Sequence, residues 1–509
     1  MSQRIHRRGF LRRAATGSTM LGLGGLPFLS GLPPVSAAEA RLAPGTVPLL
    51  PDIEPLVRLL EDTPRERLLE VVGARVRRGL SYQQILVALL LAGVRNIQPR
   101  PSVGFKFHAV LAVNSVYQAG LSSADADRWL ALFWALDYFK DSQARDVQEG
   151  GWRMKPVDEA RLPEAPKTQQ AFRQAMDTWD EAAADAAMAR LARTAGSDQV
   201  FELLYRYGAR DFRSIGHKAI FVANTQRVLP QVGWRHAEPV LRSLAYALLA
   251  HEGDNPARRD AQADRPWRRN RELVVQIPDD WQAGKPSREA TVELLVALRQ
   301  GTEDATCDVA VQLLRRKVAP QSLWDALFCG AAELLLRQPG IVALHAVTTT
   351  NALHHAYMTS GDDQTRRLLL LQAAAFLPMF RQAMEGRGRL RETAIDRLEA
   401  VPLSGDGSKA VEEVFAEIGR DRQAAAGKTL AYLQGKGSAE DFMETARRLV
   451  LLKGDDPHDY KFSVAALEDY YHVSPAWRDR FLAASVVQLR GSEGKDNPLV
   501  DRIRAAVQG

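Results

Sequence analysis

Apolar residues recur along most of the chain at the three- and four-residue spacing of one helix face, and Gly and Pro break the pattern at short intervals. Sustained alternation of apolar and polar positions is missing. Only ELVVQIP, around Val274, reads as a short strand. The pattern predicts an all-α fold.

The predicted helices come in sets. QILVALLLAG ends at Gly93, QVFELLYRYG at Gly208 and QSLWDALFCG at Gly330, each running nine positions from Gln to Gly. Ahead of them stand TPRERLLEVVGARVRRG from Thr63, DEAAADAAMARLARTAG from Asp180 and TEDATCDVAVQLLRRKV from Thr302. Each has a polar capping residue at its start and basic residues near its end, as the helix dipole favours. Behind them come FHAVLAVNSVYQA, GHKAIFVANTQRV and LHAVTTTNALHHA, placing His108, His217 and His345 at 15, 9 and 15 residues after the glycines. A further apolar helix closes each set, as in RWLALFWALDYF from Arg128. A fainter fourth copy runs from GSAEDFMETARRL at Gly437 through HDYKFSVAALEDYY at His458 to SPAWRDRFLAASVVQL at Ser474, without the asparagine of the others.

The marked histidines fall 109, 128 and 113 residues apart. The expected fold is a degenerate four-unit helical repeat forming an α-solenoid or a closed α/α array. Its units span 41–150, 151–285, 286–405 and 406–509, joined by connections rich in Pro, Gly and charge.

Composition narrows the function classes. Of the formal charge of +6, residues 1–40 carry +4 (five Arg, one Glu), leaving +2 for the rest. That balance gives no support to a nucleic-acid partner. Two cysteines, Cys307 and Cys329, exclude a disulfide framework or a four-thiolate cluster, and without CxxCH there is no covalent haem. A single disulfide and two free buried thiols both remain open. AAAGKT, ending at Thr429, has Arg422 where a phosphate-binding loop needs its first glycine, so nucleotide hydrolysis is discarded.

The first forty residues, with Arg7-Arg8, Phe10-Leu11, Arg12, a Gly-rich weakly apolar segment and a small-residue end near Ala37 or Ala40, resemble a twin-arginine (Tat) export signal. The resemblance implies contact with the Tat translocase, a periplasmic or secreted location, and folding before export, often around a cofactor. After cleavage at about residue 40, no integral membrane span is expected.

Equivalent positions in a repeat share one direction, so His108, His217, His345 and His458 are expected to line one surface. Converging neutral imidazoles suit a transition metal, and one alone suits a non-covalent haem. The candidate cofactor-binding residues are His108, His217 and His345. The candidate metal ligands are those three with His355 and His458, since His355 stands four residues after Asn351 in the densest polar segment. The competing reading is a histidine that caps a helix or bonds a buried carbonyl, copied by duplication. Asn114, Asn224 and Asn351 follow their histidines by six or seven residues and are expected to be helix-contact residues.

The Gly-then-His-Ala helices around His108, His217 and His345 resemble the questin oxidase family, helical oxidoreductases whose fungal members insert oxygen next to an aromatic ketone. Two functions are therefore expected. One is an exported oxidoreductase with a metal or haem site lined by the repeated histidines. The other is a non-catalytic α-repeat protein that binds a small molecule or a protein partner.

Overall fold

The computed structural model describes residues 45–100 and 104–509, so the twin-arginine-like segment lies outside the described residues. Every regular element among them is helical, and the only bridge pairs Lys285 with Val318. The strand expected at ELVVQIP is overturned. Its first residues end a helix and Val274–Gln276 form a 3-10 turn, buried on one side against the core.

The first group of helices is α1 (Glu54–Asp62), α2 (Arg65–Val76), α3 (Tyr82–Asn96), α4 (His108–Leu111), α5 (Val113–Leu121) and α6 (Leu130–Gln148). Then come α7 (Thr168–Thr178), α8 (Glu181–Thr194), α9 (Ser197–Ala209), α10 (His217–Val232), α11 (Ala237–Leu248) and α12 (Arg265–Leu273). The third group is α13 (Arg288–Gln300), α14 (Glu303–Arg315), α15 (Pro320–Arg337), α16 (Ile341–Thr359) and α17 (Asp363–Glu385). The last is α18 (Gly407–Glu417), α19 (Arg422–Gln434), α20 (Ala439–Lys453), α21 (Pro457–Asp469), α22 (Arg478–Ser485) and α23 (Leu499–Gln508).

Capping follows the sequence in two of the three cases expected. Asp180 and Thr302 accept from Ala183 N (3.0 Å) and Ala305 N (3.2 Å) at the starts of α8 and α14. Thr63 does not cap α2: its hydroxyl turns back to Leu59 O (2.5 Å), because Pro64 follows it and opens the next helix.

The three Gln-to-Gly segments lie in α3, α9 and α15, which pack on α4–α5, α10 and α16. Glycine permits this approach in the first two: a Cβ at Gly93 would stand 2.9 Å from Val110 Cγ2, and one at Gly208 2.8 Å from Val222 Cγ2. Gly330 faces Leu298 and Leu377 instead. Four helices close a ring: α5 touches α10, α10 touches α16, α16 touches α21, and α21 returns to α5. The C-terminal helix α23 lies on α2 and α6, where Arg502 pairs with Glu70 (2.7 Å) and Arg504 with Asp127 (3.0 Å). Cys307 and Cys329 are both free and buried. None of the described helices is long and apolar enough to cross a membrane.

Candidate metal centre

The ring brings four histidines to the same end, the first through α4, the short helix that leads into α5. His108 opens α4, His217 opens α10, His458 is the second residue of α21, and His345 lies one turn inside α16. The ring contacts keep one register. About two turns past the histidines, Asn114 donates to Asn224 (3.4 Å); a turn further, Arg227 reaches Asn351 (3.0 Å) and Glu468 (2.6 Å). The helices therefore run parallel, with their N-termini at the histidine end.

All four rings are fixed through Nδ1. His108 donates to Phe105 O (2.8 Å), His217 to Ser214 O (2.5 Å), His345 to Ile341 O (2.7 Å) and His458 to the Asp456 carboxylate. Carbonyl and carboxylate oxygens only accept, so each Nδ1 carries the proton and each neutral ring turns a bare Nε2 lone pair inward. Nε2 of His217 stands 3.2 Å from that of His108 and 3.0 Å from that of His345. The donor atoms of the four residues all lie within 4.8 Å of one another.

Lone pairs at such separations repel unless something positive joins them. A proton would require an imidazolium. Burial first, then Lys461 and the neighbouring rings, pushes His108 and His345 well below the ordinary imidazole value, and burial with Lys461 does the same to His217. Burial lowers His458 too, against the pull of Asp456. One metal ion at the centre would satisfy all four nitrogens, and Asp456 would then be the carboxylate that orients a ligand ring.

The rings close a cycle of four contacts. Neighbouring centroids are 5.0 Å (His108–His217), 4.4 Å (His217–His345), 5.0 Å (His345–His458) and 4.4 Å (His458–His108) apart. Bonds of about 2.0–2.1 Å place adjacent donors about 2.9 Å apart in a square and about 3.4 Å apart in a tetrahedron. The observed Nε2 separations fall between, and an ion held in the square arrangement would have a position open on each face.

The two faces differ. On the side of the helix N-termini, a cleft of about 900 Å³ reaches His108 and His458, with Phe105, Trp134, Tyr138 and Asp456 in its wall. Below the histidines, a chamber of about 10 Å³ is lined by Asn114, Asn224, Thr348, Asn351, Arg227 and Lys461.

The backbone is strained where it aims the rings. Phe105 (φ 46°), Ser214 (φ 53°) and Ile215 (φ 45°) are left-handed without being glycine, at roughly 1–2 kcal/mol each. Phe105 and Ser214 are the residues whose carbonyls hold His108 and His217. A buried ion pair, Lys218 to Asp211 (2.8 Å, both 0% exposed), braces the second loop, and Asp211 also accepts from Arg213 N (3.0 Å). Gly216, at φ +80°, lets this loop press on Thr349, whose hydroxyl a Cβ would overlap.

Of the five histidines expected at a metal, His108, His217, His345 and His458 meet here and His355 does not. It lies far down α16, where its Nε2 bonds Gln226 Oε1 (2.7 Å). With all four donor atoms within 4.8 Å of one another, the set suits a single ion at its centre. The asparagines are contact residues: Asn224 donates to Leu111 O (2.9 Å), and Asn351 to Glu468 (2.9 Å) and Asp469 (2.7 Å).

Sequence reasoning missed Asp456, Lys461 and the carbonyls of Phe105 and Ser214. Lys461 carried a signal. It stands three residues after His458, where the other copies have Leu111, Ile220 and Thr348, and a charge on that apolar face needs a partner. No family model matches the chain, and no curated protein or solved structure is significantly similar to it.

Proposed function

We propose that the protein holds one redox-active first-row transition ion at His108, His217, His345 and His458, and acts as an oxidoreductase on a small molecule admitted through the cleft. The observation that carries this reading is the common anchoring of all four Nδ1 atoms, which leaves four inward Nε2 lone pairs with nothing among the described residues to satisfy them. A tetragonal set of neutral imidazoles suits copper(II), or iron(II) with further ligands, better than tetrahedral zinc. The ring of α5, α10, α16 and α21 supports the finer reading of the fold, a four-unit quasi-repeat closed on itself with α23 sealing the seam. Export through the twin-arginine route belongs to the same proposal, since folding first allows the ion to be loaded before the chain leaves the cytoplasm. The resemblance to questin oxidases points toward oxidation as well.

The cleft gives the second reading its footing: a non-catalytic helical array that uses a buried ion as a fastener and the cleft for a ligand. A site whose four protein donors are enclosed is also what a structural ion needs.

Metal analysis and visible and paramagnetic-resonance spectra of protein from an exporting host test the proposal. One ion per chain is expected, with a spectrum that responds to oxidant and reductant. His108→Ala, His217→Ala, His345→Ala and His458→Ala should each lower ion content with helicity retained, and His355→Ala should not. An ion silent to redox agents would favour the fastener. Histidine variants that only lower melting temperature, in a protein without metal, would leave the histidines structural.

A further inference from the structure

Lys461 is 2% exposed, and its Nζ has no hydrogen-bond partner among the described residues. It lies one turn below His458 on the ring-facing side of α21 and in the wall of the small chamber. A buried ammonium without a partner is costly: burial pulls Lys461 down to about 7 against the attraction of Asp456, and no carboxylate lines that chamber.

Positive charge accumulates at this point, opposed by the Asp456 carboxylate. Four neutral ligands leave a divalent ion with its full charge, and Lys461 adds to it. The N-termini of α10, α16 and α21, helices of 16, 19 and 13 residues, point their positive ends at the same layer. A chamber of about 10 Å³ has room for one water-sized species.

We propose that the chamber is a small-anion site, in which a single-atom, water-sized anion pairs with the Lys461 ammonium beneath the histidine cluster. The inference rests on the metal reading above. It assigns a role to each face of the histidine cluster: the cleft side admits the larger molecule, and the chamber side holds a compact charge-balancing ligand. Thr348, one turn below His345, and Asn114 and Asn224 supply polar wall around it.

The test uses the full-length metal-loaded protein with fluoride as the probe, ion content being measured on the same samples. Wild type should bind fluoride with a shift in the spectrum of the ion. Lys461→Met keeps the stem and removes the charge, and should raise the fluoride Kd at least tenfold with ion content unchanged. Ala465→Val keeps Lys461 but fills the chamber, and should weaken fluoride comparably. Unchanged affinity in both variants, or a loaded wild type that ignores fluoride, overturns the anion site while leaving the metal reading standing. A wild type without any ion overturns both.

Discussion

Asp456 offers a way to separate a metal-orienting role from a structural one, because one carboxylate serves both. It accepts from the His458 backbone N–H (2.8 Å), capping α21, and from His458 Nδ1. Asn caps a helix about as well as Asp, so Asp456→Asn should leave metal-free stability nearly unchanged. The neutral amide still accepts from Nδ1 but no longer strengthens the ring as a donor. Losing such a partner costs about 10- to 100-fold in ion affinity, or about 1.4–2.8 kcal/mol. The retained acceptor puts the Asn variant near the lower figure. Asp456→Ala removes both contacts and adds about 1 kcal/mol of metal-free destabilisation, a shift of about 1–2 °C in a chain of this size. Chelator competition gives the affinities, and melting curves with and without ion give the stabilities. Ion affinity equal to wild type in both variants, with only the Ala variant melting early, would refute the orienting role and leave Asp456 as a cap.

Three further outcomes are expected. Gly216→Ala forces a Cβ into Thr349 at φ +80° and should cost more than about 1 kcal/mol in denaturant unfolding while loosening the ion; a neutral result would show that the loop holding Ser214 is not constrained. His354, packed against Trp324 and Phe328, is held down to about 3 by burial, then by His472 and Arg227. Its folded value lies below the unfolded value of about 6.5, so the unfolded chain takes the proton first. Its contribution is full above pH of about 6.5, falls toward about 3, and is about 2 kcal/mol smaller at pH 5; His354→Phe should flatten that acid limb of the stability curve, and an unaltered limb would refute it. Replacing Arg7 and Arg8 together by Lys should retain the precursor in the cytoplasm on fractionation, and continued export would show that the signal was misread.

What was legible in the sequence is what repetition makes visible. His108, His217 and His345 stood out because each follows a Gly-ended helix, and the glycines at 93 and 208 are there to let the histidine-bearing helix come close. Helicity was legible from spacing alone, except at ELVVQIP, where a run of β-branched residues ends a helix and turns. His355 misled because nearness along a helix was taken for nearness in space: it lies almost three turns below His345, at another level of the ring. The anchors were hidden for a different reason. Phe105 and Ser214 act through their carbonyls, in conformations their side chains do not announce, and Ile341 does the same within a regular helix. Main-chain acceptors have no letter of their own.

The four histidines are supplied by helices spread from α4 near the start of the described chain to α21 near its end. No nascent fragment holds the full set. A chain still on the ribosome can bury helices, settle loops and even bring three imidazoles near one another, yet the fourth, His458, emerges 113 residues after the third. An ion that prefers the complete set therefore binds after folding is essentially finished, and its dissociation rate sets how readily the last unit can come away again. In kinetic terms such an ion would act on the unfolding rate and hardly on the folding rate, so a slow opening step that speeds up on chelation is the behaviour such an assembly order implies.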